Sequence, residues 1–146
     1  MNDTTASTAT LAANDATGLF DFNAIEDVPT AALRIKDRDG MSTPMVITLA
    51  GPEHPERKRR QFVRQRKFRA EFAKTGRMPV TDPAEDYDEE TDELVANTLG
   101  WEGAAVPFTP AAARALYNDP KRQWLRAQVR VALDERDRFT RSSAVN

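Results

Sequence analysis

Residues 98–110 read TLGWEGAAVPFTP, and how this stretch is taken decides how the chain is laid out. A tryptophan stands between two glycines, and a Pro-Phe-Thr-Pro follows. Before it runs the most acidic part of the chain, residues 82–93; after it comes a helix-forming run that ends at Asn118-Asp119-Pro120. A residue with a side-chain oxygen acceptor followed by proline is the signature of a helix N-cap and first turn, so Thr109-Pro110 starts a helix. With Gly100 closing the helix before it, the stretch reads as a helix-to-helix corner pinned by Trp101 and Phe108. The same start signal recurs at Asp119-Pro120 and opens a further helix to about residue 139. On that helix Trp124, Leu125, Gln128, Val131 and Ala132 share one side, and the charged residues, Arg126 among them, solvate the rest.

Working outward toward the N-terminus, the acidic run starts a helix over about 86–99, with Leu94, Val95, Thr98 and Leu99 facing inward. Residues 55–74 contain nothing that breaks a helix, and Gly76 supplies a C-cap. Residues 30–36 (TAALRIK) and 45–49 (MVITL) carry alternating or β-branched apolar residues around the turn-rich DRDGMSTP, which reads as a β-hairpin. Two strands alone are marginal, so they require a cover. Residues 1–17 are mostly Thr, Ala, Asn, Ser and Asp and cannot bury enough apolar surface to offset their ordering entropy. The expected architecture is α+β and mostly helical: a flexible arm (1–17), one domain (18–141) and a frayed tail (142–146). Within the domain come a short N-terminal β-hairpin region (18–50), a basic helix (53–75) and a helical C-terminal part (86–141), about four helices in all.

The 146 residues suffice for one domain with a core. A net charge of −2 predicts no global attraction to nucleic acid or membrane. The absence of cysteine removes disulfides and thiolate metal sites. No apolar run reaches the length of a membrane span. The first residues lack a signal-peptide pattern, so a cytoplasmic product is expected.

Catalysis finds little to build on. The single histidine, His54, sits at a helix start, where a capping or solvated role is far commoner than general-base chemistry. No Gly-rich phosphate loop follows a strand, and no Ser-His-Asp set can be singled out. The acidic run is rich in hard oxygen but lacks the register of a calcium loop, and carboxylates at a helix start also suit the helix dipole. No catalytic, cofactor-binding or metal residue is therefore assigned, and no cofactor is expected.

The charge pattern carries more. Residues 57–77 hold ten basic side chains against Glu71 alone, and the acidic run follows after a short loop. Phosphate binding, an acidic protein partner, and mutual pairing of the two blocks are the three readings. The leading one is a charged interface in which Arg57, Arg60, Arg64 and Lys67 face Glu89, Glu90 and Glu93, within one subunit or between subunits. A nucleic-acid-binding regulator using residues 57–77 is the weaker reading, and no nucleic acid partner is expected.

The C-terminal half resembles the tail assembly chaperones of long-tailed bacteriophages and related prophages. The ordered series comprises Leu94, Val95, Leu99, Gly100-Trp101-Glu102-Gly103, Pro107-Phe108-Thr109, Leu116-Tyr117, Trp124-Leu125, Gln128-Val129 and Phe139. It covers about residues 80–141, with weaker agreement over 45–75. The resemblance implies a non-catalytic protein that binds and solubilises the tape measure protein and helps recruit tail tube subunits, in the host cytoplasm during phage assembly. Such chaperones commonly occur as two products of one gene, the longer by frameshift. It also implies a packing and partner surface at Trp101, Phe108, Leu116, Trp124 and Leu125. The Thr/Ala-rich arm departs from the family pattern. It keeps open a permanent structural or accessory protein of the virion, capsid- or tail-associated, whose arm contacts neighbouring subunits; a homo-oligomer also stays open. On this reading Trp124→Ala costs about 3–5 kcal/mol as a buried aromatic, whereas Trp101→Ala costs less stability and more partner binding.

Overall fold

A computed structural model describes residues 18–142 of the chain. The expected arm (1–17) and residues 143–146 of the expected tail lie outside the described residues. Four α-helices and a three-stranded antiparallel sheet make up the body of the fold, so the chain is α+β and mostly helical.

The strands are β1 (Ile25–Asp27), β2 (Thr30–Lys36), β3 (Ser42–Ala50), β4 (Thr98–Glu102) and β5 (Thr140–Ser142). The helices are α1 (Pro55–Thr75), α2 (Pro83–Ala96), α3 (Pro110–Asn118) and α4 (Gln123–Asp134). The main sheet runs β2-β3-β4, with Leu33 opposite Ile47 and Ile47 opposite Trp101. The period-two alternation puts Leu33, Ile35, Ile47 and Leu49 on one buried face. Pro44 stands in the central strand where the ladder to β2 is interrupted, between the pairs Arg34–Val46 and Lys36–Ser42, so its missing N–H leaves no gap there. The turn between β2 and β3 is tied by Asp37, whose carboxylate accepts from the Asp39 and Met41 amides, both at 2.9 Å.

Three helices cover the apolar face of this sheet. Leu94 of α2, Ala113 and Tyr117 of α3, and Leu125, Val129, Ala132 and Leu133 of α4 close the core together with Phe139. Gln128 of α4 seals the end of β2. Its side-chain amide donates to the Lys36 carbonyl at 2.8 Å and its carbonyl accepts from the Lys36 amide at 2.9 Å.

Several expectations are corrected. Gly100 does not end a helix. α2 stops at Ala96, and residues 98–102 form β4, with Gly100 opposite Thr48. The cause is tertiary. The outer edge of β3 offers backbone donors and acceptors, and the Asn97 carbonyl already accepts from Ala50 at 2.9 Å, which leads the chain onto that edge. Leu99, expected inside, is therefore 41% exposed. The last helix is also shorter than the expected 119–139: a 3-10 turn (Pro120–Arg122) precedes α4, and another (Arg136–Phe139) follows it. Its buried stripe is Leu125, Val129, Ala132 and Leu133, while Val131 is exposed. Arg126, expected to solvate, is only 2% exposed. Finally, Ser142 is not frayed tail, because β5 pairs antiparallel with β1.

Tyr117 supplies a buried polar link. Its hydroxyl lies 2.7 Å from Thr98 Oγ1, which in turn donates to the Leu94 carbonyl at 2.7 Å. Burial pushes the phenol up to about 12, the hydrogen bond with Thr98 opposing the shift. The unfolded chain releases this proton near pH 10 and the native state holds it, so stability is full below pH 10 and declines as pH rises toward 12. The loss specific to Tyr117 should reach about 2–3 kcal/mol. Urea unfolding from pH 9 to 11 should show that slope in the native sequence and a shallower one in Tyr117→Phe; equal slopes would refute it.

Candidate functional site

The corner residues come together. Trp101 meets Phe108 edge-on, with ring centroids 5.1 Å apart and planes at 84°, and its indole N–H donates to the Val106 carbonyl at 2.8 Å. Thr109 caps α3 as expected, its hydroxyl accepting from Ala112 at 2.9 Å. Trp101, Phe108, Leu116 and Trp124 are all partly buried against the core, and Leu125 is part of it. Trp101 thus packs inward, with its polar edge already bonded. Both Trp101→Ala and Trp124→Ala should then lower stability by about 3 kcal/mol, the low end for a large aromatic because neither ring is fully enclosed. Thermal or urea unfolding checks this; a Trp101→Ala protein of unchanged stability would return that ring to a free surface.

The expected charged interface forms only in part. Arg60 and Arg64 of α1 both reach Glu93 of α2, and Arg60 also bonds the Asn97 side chain. Arg57 points elsewhere: it donates to the Ala50 carbonyl at 2.9 Å and to the Leu133 carbonyl at 2.8 Å, clamping the start of α1 to the core. Burial lowers the proton affinity of its guanidinium. Glu90 turns to the other side of α2 and pairs with Arg126 at 2.8 Å and Arg130 at 3.7 Å. Lys67 and Glu89 make no ion pair among the described residues.

Arg126 is the residue that sequence reasoning missed. Its Nε and Nη2 reach Glu90 at 3.0 and 2.8 Å, and its Nη1 reaches Thr91 Oγ1 at 2.7 Å. Further bonds run to the Tyr87 and Tyr117 carbonyls, at 3.1 and 3.3 Å. The guanidinium also lies 3.8 Å from the centre of the Tyr87 ring. One planar cation thus joins α2, α3 and α4, a use that suits arginine and not lysine. The available signal was its position three residues before Val129 and seven before Leu133, inside the buried stripe.

The least ordinary surface is α1 itself. It starts cleanly, with Pro55 in its first turn and His54 Nδ1 accepting from Glu56 at 3.2 Å, and Gly76 closes it in the left-handed region at φ 69°. Its 21 residues include none that is buried. Phe62, Val63, Phe68 and Phe72 are 42–50% exposed. Nine basic side chains stand on this helix against two acidic ones, and Arg66, Lys67, Arg69 and Lys74 have no ion-pair partner among the described residues. An extended ridge of exposed aromatic and cationic groups is a surface that can bind a partner. No helix among the described residues is long and apolar enough to cross a membrane. Compared with protein-family models, curated proteins and solved structures, the chain finds no match.

Proposed function

We propose that the protein is a non-catalytic tail assembly chaperone of a long-tailed phage, which binds and solubilises the tape measure protein and helps recruit tail tube subunits. The observation that carries this reading is α1: a helix about 31 Å long at 1.5 Å per residue, none of whose residues is buried, with three phenylalanines open to a partner. Isolated apolar residues on a surface are ordinary, but three aromatic rings on one unburied helix mark an interaction surface. The resemblance over residues 80–141 supplies the partner's identity. Tape measure segments expose apolar helical faces that aggregate, and a chaperone keeps them soluble by covering them while its own charged surface faces water.

Co-expression with the tape measure protein of the same phage tests this. A soluble complex is expected where the tape measure protein alone is insoluble, and mass spectrometry of purified particles should find no abundant peptides from this chain. A fixed, abundant copy number in the particle would instead establish the virion-component reading.

A further inference from the structure

We infer that α1 is the docking site, and that its occupant is an amphipathic helix whose apolar stripe is flanked by carboxylates. This deepens the chaperone reading, and rests on it for the partner's identity though not for the partner's chemistry. Phe62, Gln65, Arg69 and Phe72 follow helical spacing and form one stripe about three turns long. Phe68 widens it, stacked on Phe72 with centroids 6.5 Å apart and planes at 17°. Arg60 and Arg64, which hold α1 to Glu93, leave the helix about a third of a turn away from this stripe. The side carrying Phe62, Gln65 and Arg69 is therefore turned away from the chain's own domain, whereas Phe68, four residues after Arg64, lies nearer the domain-facing side and is still 42% exposed.

Charge selects the occupant. Arg66 and Arg69 lie on or beside the stripe and have no ion pair among the described residues. A second copy of α1 would set nine cations against nine, which opposes self-pairing. The outward row of α2, Glu85, Asp88, Glu89 and Asp92, offers carboxylates but no apolar side chain to cover the phenylalanines. What satisfies both the rings and the guanidinium groups is an apolar helical face bordered by Glu or Asp. Within the protein, Glu93 already takes two arginines of α1 in this manner.

Fluorescence anisotropy with the full chain tests the site. The probe is a labelled peptide of about 20 residues made of Glu, Ala and Leu, with leucines at helical spacing. Controls are the same peptide with Lys for Glu, and a short DNA duplex. Saturable binding of the Glu peptide is expected, weakening at least about tenfold from about 50 to about 500 mM salt. The Lys peptide should bind at least about tenfold more weakly, since like charges then meet. Phe68→Ser/Phe72→Ser should lose at least about tenfold with an unchanged urea midpoint, because both rings are exposed. No saturation by the Glu peptide, equal binding of the two peptides, tighter binding of DNA, or full binding by the double variant would each overturn the inference. If the Glu peptide binds but the tape measure protein does not co-purify, the partner's identity falls and the site stands. If the tape measure protein co-purifies as well with the double variant as with the native chain, the reverse holds.

Discussion

Replacing Arg126 with alanine should lower the stability of the domain by about 3–5 kcal/mol, the range for breaking a buried ion pair by removing one partner. The side chain is 3% exposed, and its donors serve a carboxylate, a hydroxyl and two backbone carbonyls on separate elements. Its removal leaves Thr91, itself fully buried, facing a cavity, and leaves Glu90 only the longer contact to Arg130 at 3.7 Å. Lysine restores the charge but not the planar fork that reaches Glu90 and Thr91 together, so Arg126→Lys should recover only part of the loss. Urea unfolding measures both. An Arg126→Ala protein within about 0.5 kcal/mol of the native one, the range of an ordinary surface change, would show that the three helices are held by apolar packing alone.

The second large effect is expected at Gly103, which follows β4 with φ 78°. A Cβ here would overlap the Pro44 carbonyl and stand 3.2 Å from Met45 Cα, all backbone of the central strand. Gly103→Ala therefore combines a left-handed conformation with a collision that no side chain can relieve, and should cost about 3 kcal/mol. Gly40 provides the comparison, because it has φ 83° and open space where its Cβ would be. Gly40→Ala should cost only about 1 kcal/mol, from conformation alone. Equal losses at the two positions would mean that β3 and β4 do not approach as closely as described.

These two positions also show where the sequence was informative. The punctuation was local and legible: Thr109-Pro110 caps α3, Gly76 closes α1, and Asp119-Pro120 opens a turn. The Asp82…Glu85 capping box starts α2 at Pro83 and not at the expected 86, and both of its residues stand in the sequence. β4 was not legible, because a five-residue strand containing Gly100 has no periodicity of its own and forms only where the β3 edge receives it. Arg126 was misplaced because charge alone assigns a residue to solvent. Its burial depends on Tyr87, Glu90 and Thr91, brought from a helix 35–39 positions earlier. The opposed charge blocks were visible in composition, but which charges meet was not. Glu93 lies on the side of α2 that meets α1, whereas Glu90 lies toward α4. The corner aromatics, singled out as a partner surface, pack against the core, and the exposed rings stand on the basic helix.

The central claim is that α1, and not the corner at 98–110, receives the partner helix. Hydrogen exchange of the full chain, free and in complex with the co-expressed tape measure protein, tests it directly. The amides of residues 56–75 now sit on a helix with no buried residue and should exchange early in the free protein, then become strongly protected in the complex. Unchanged exchange across α1, with new protection confined to residues 98–110 and α4, would contradict it.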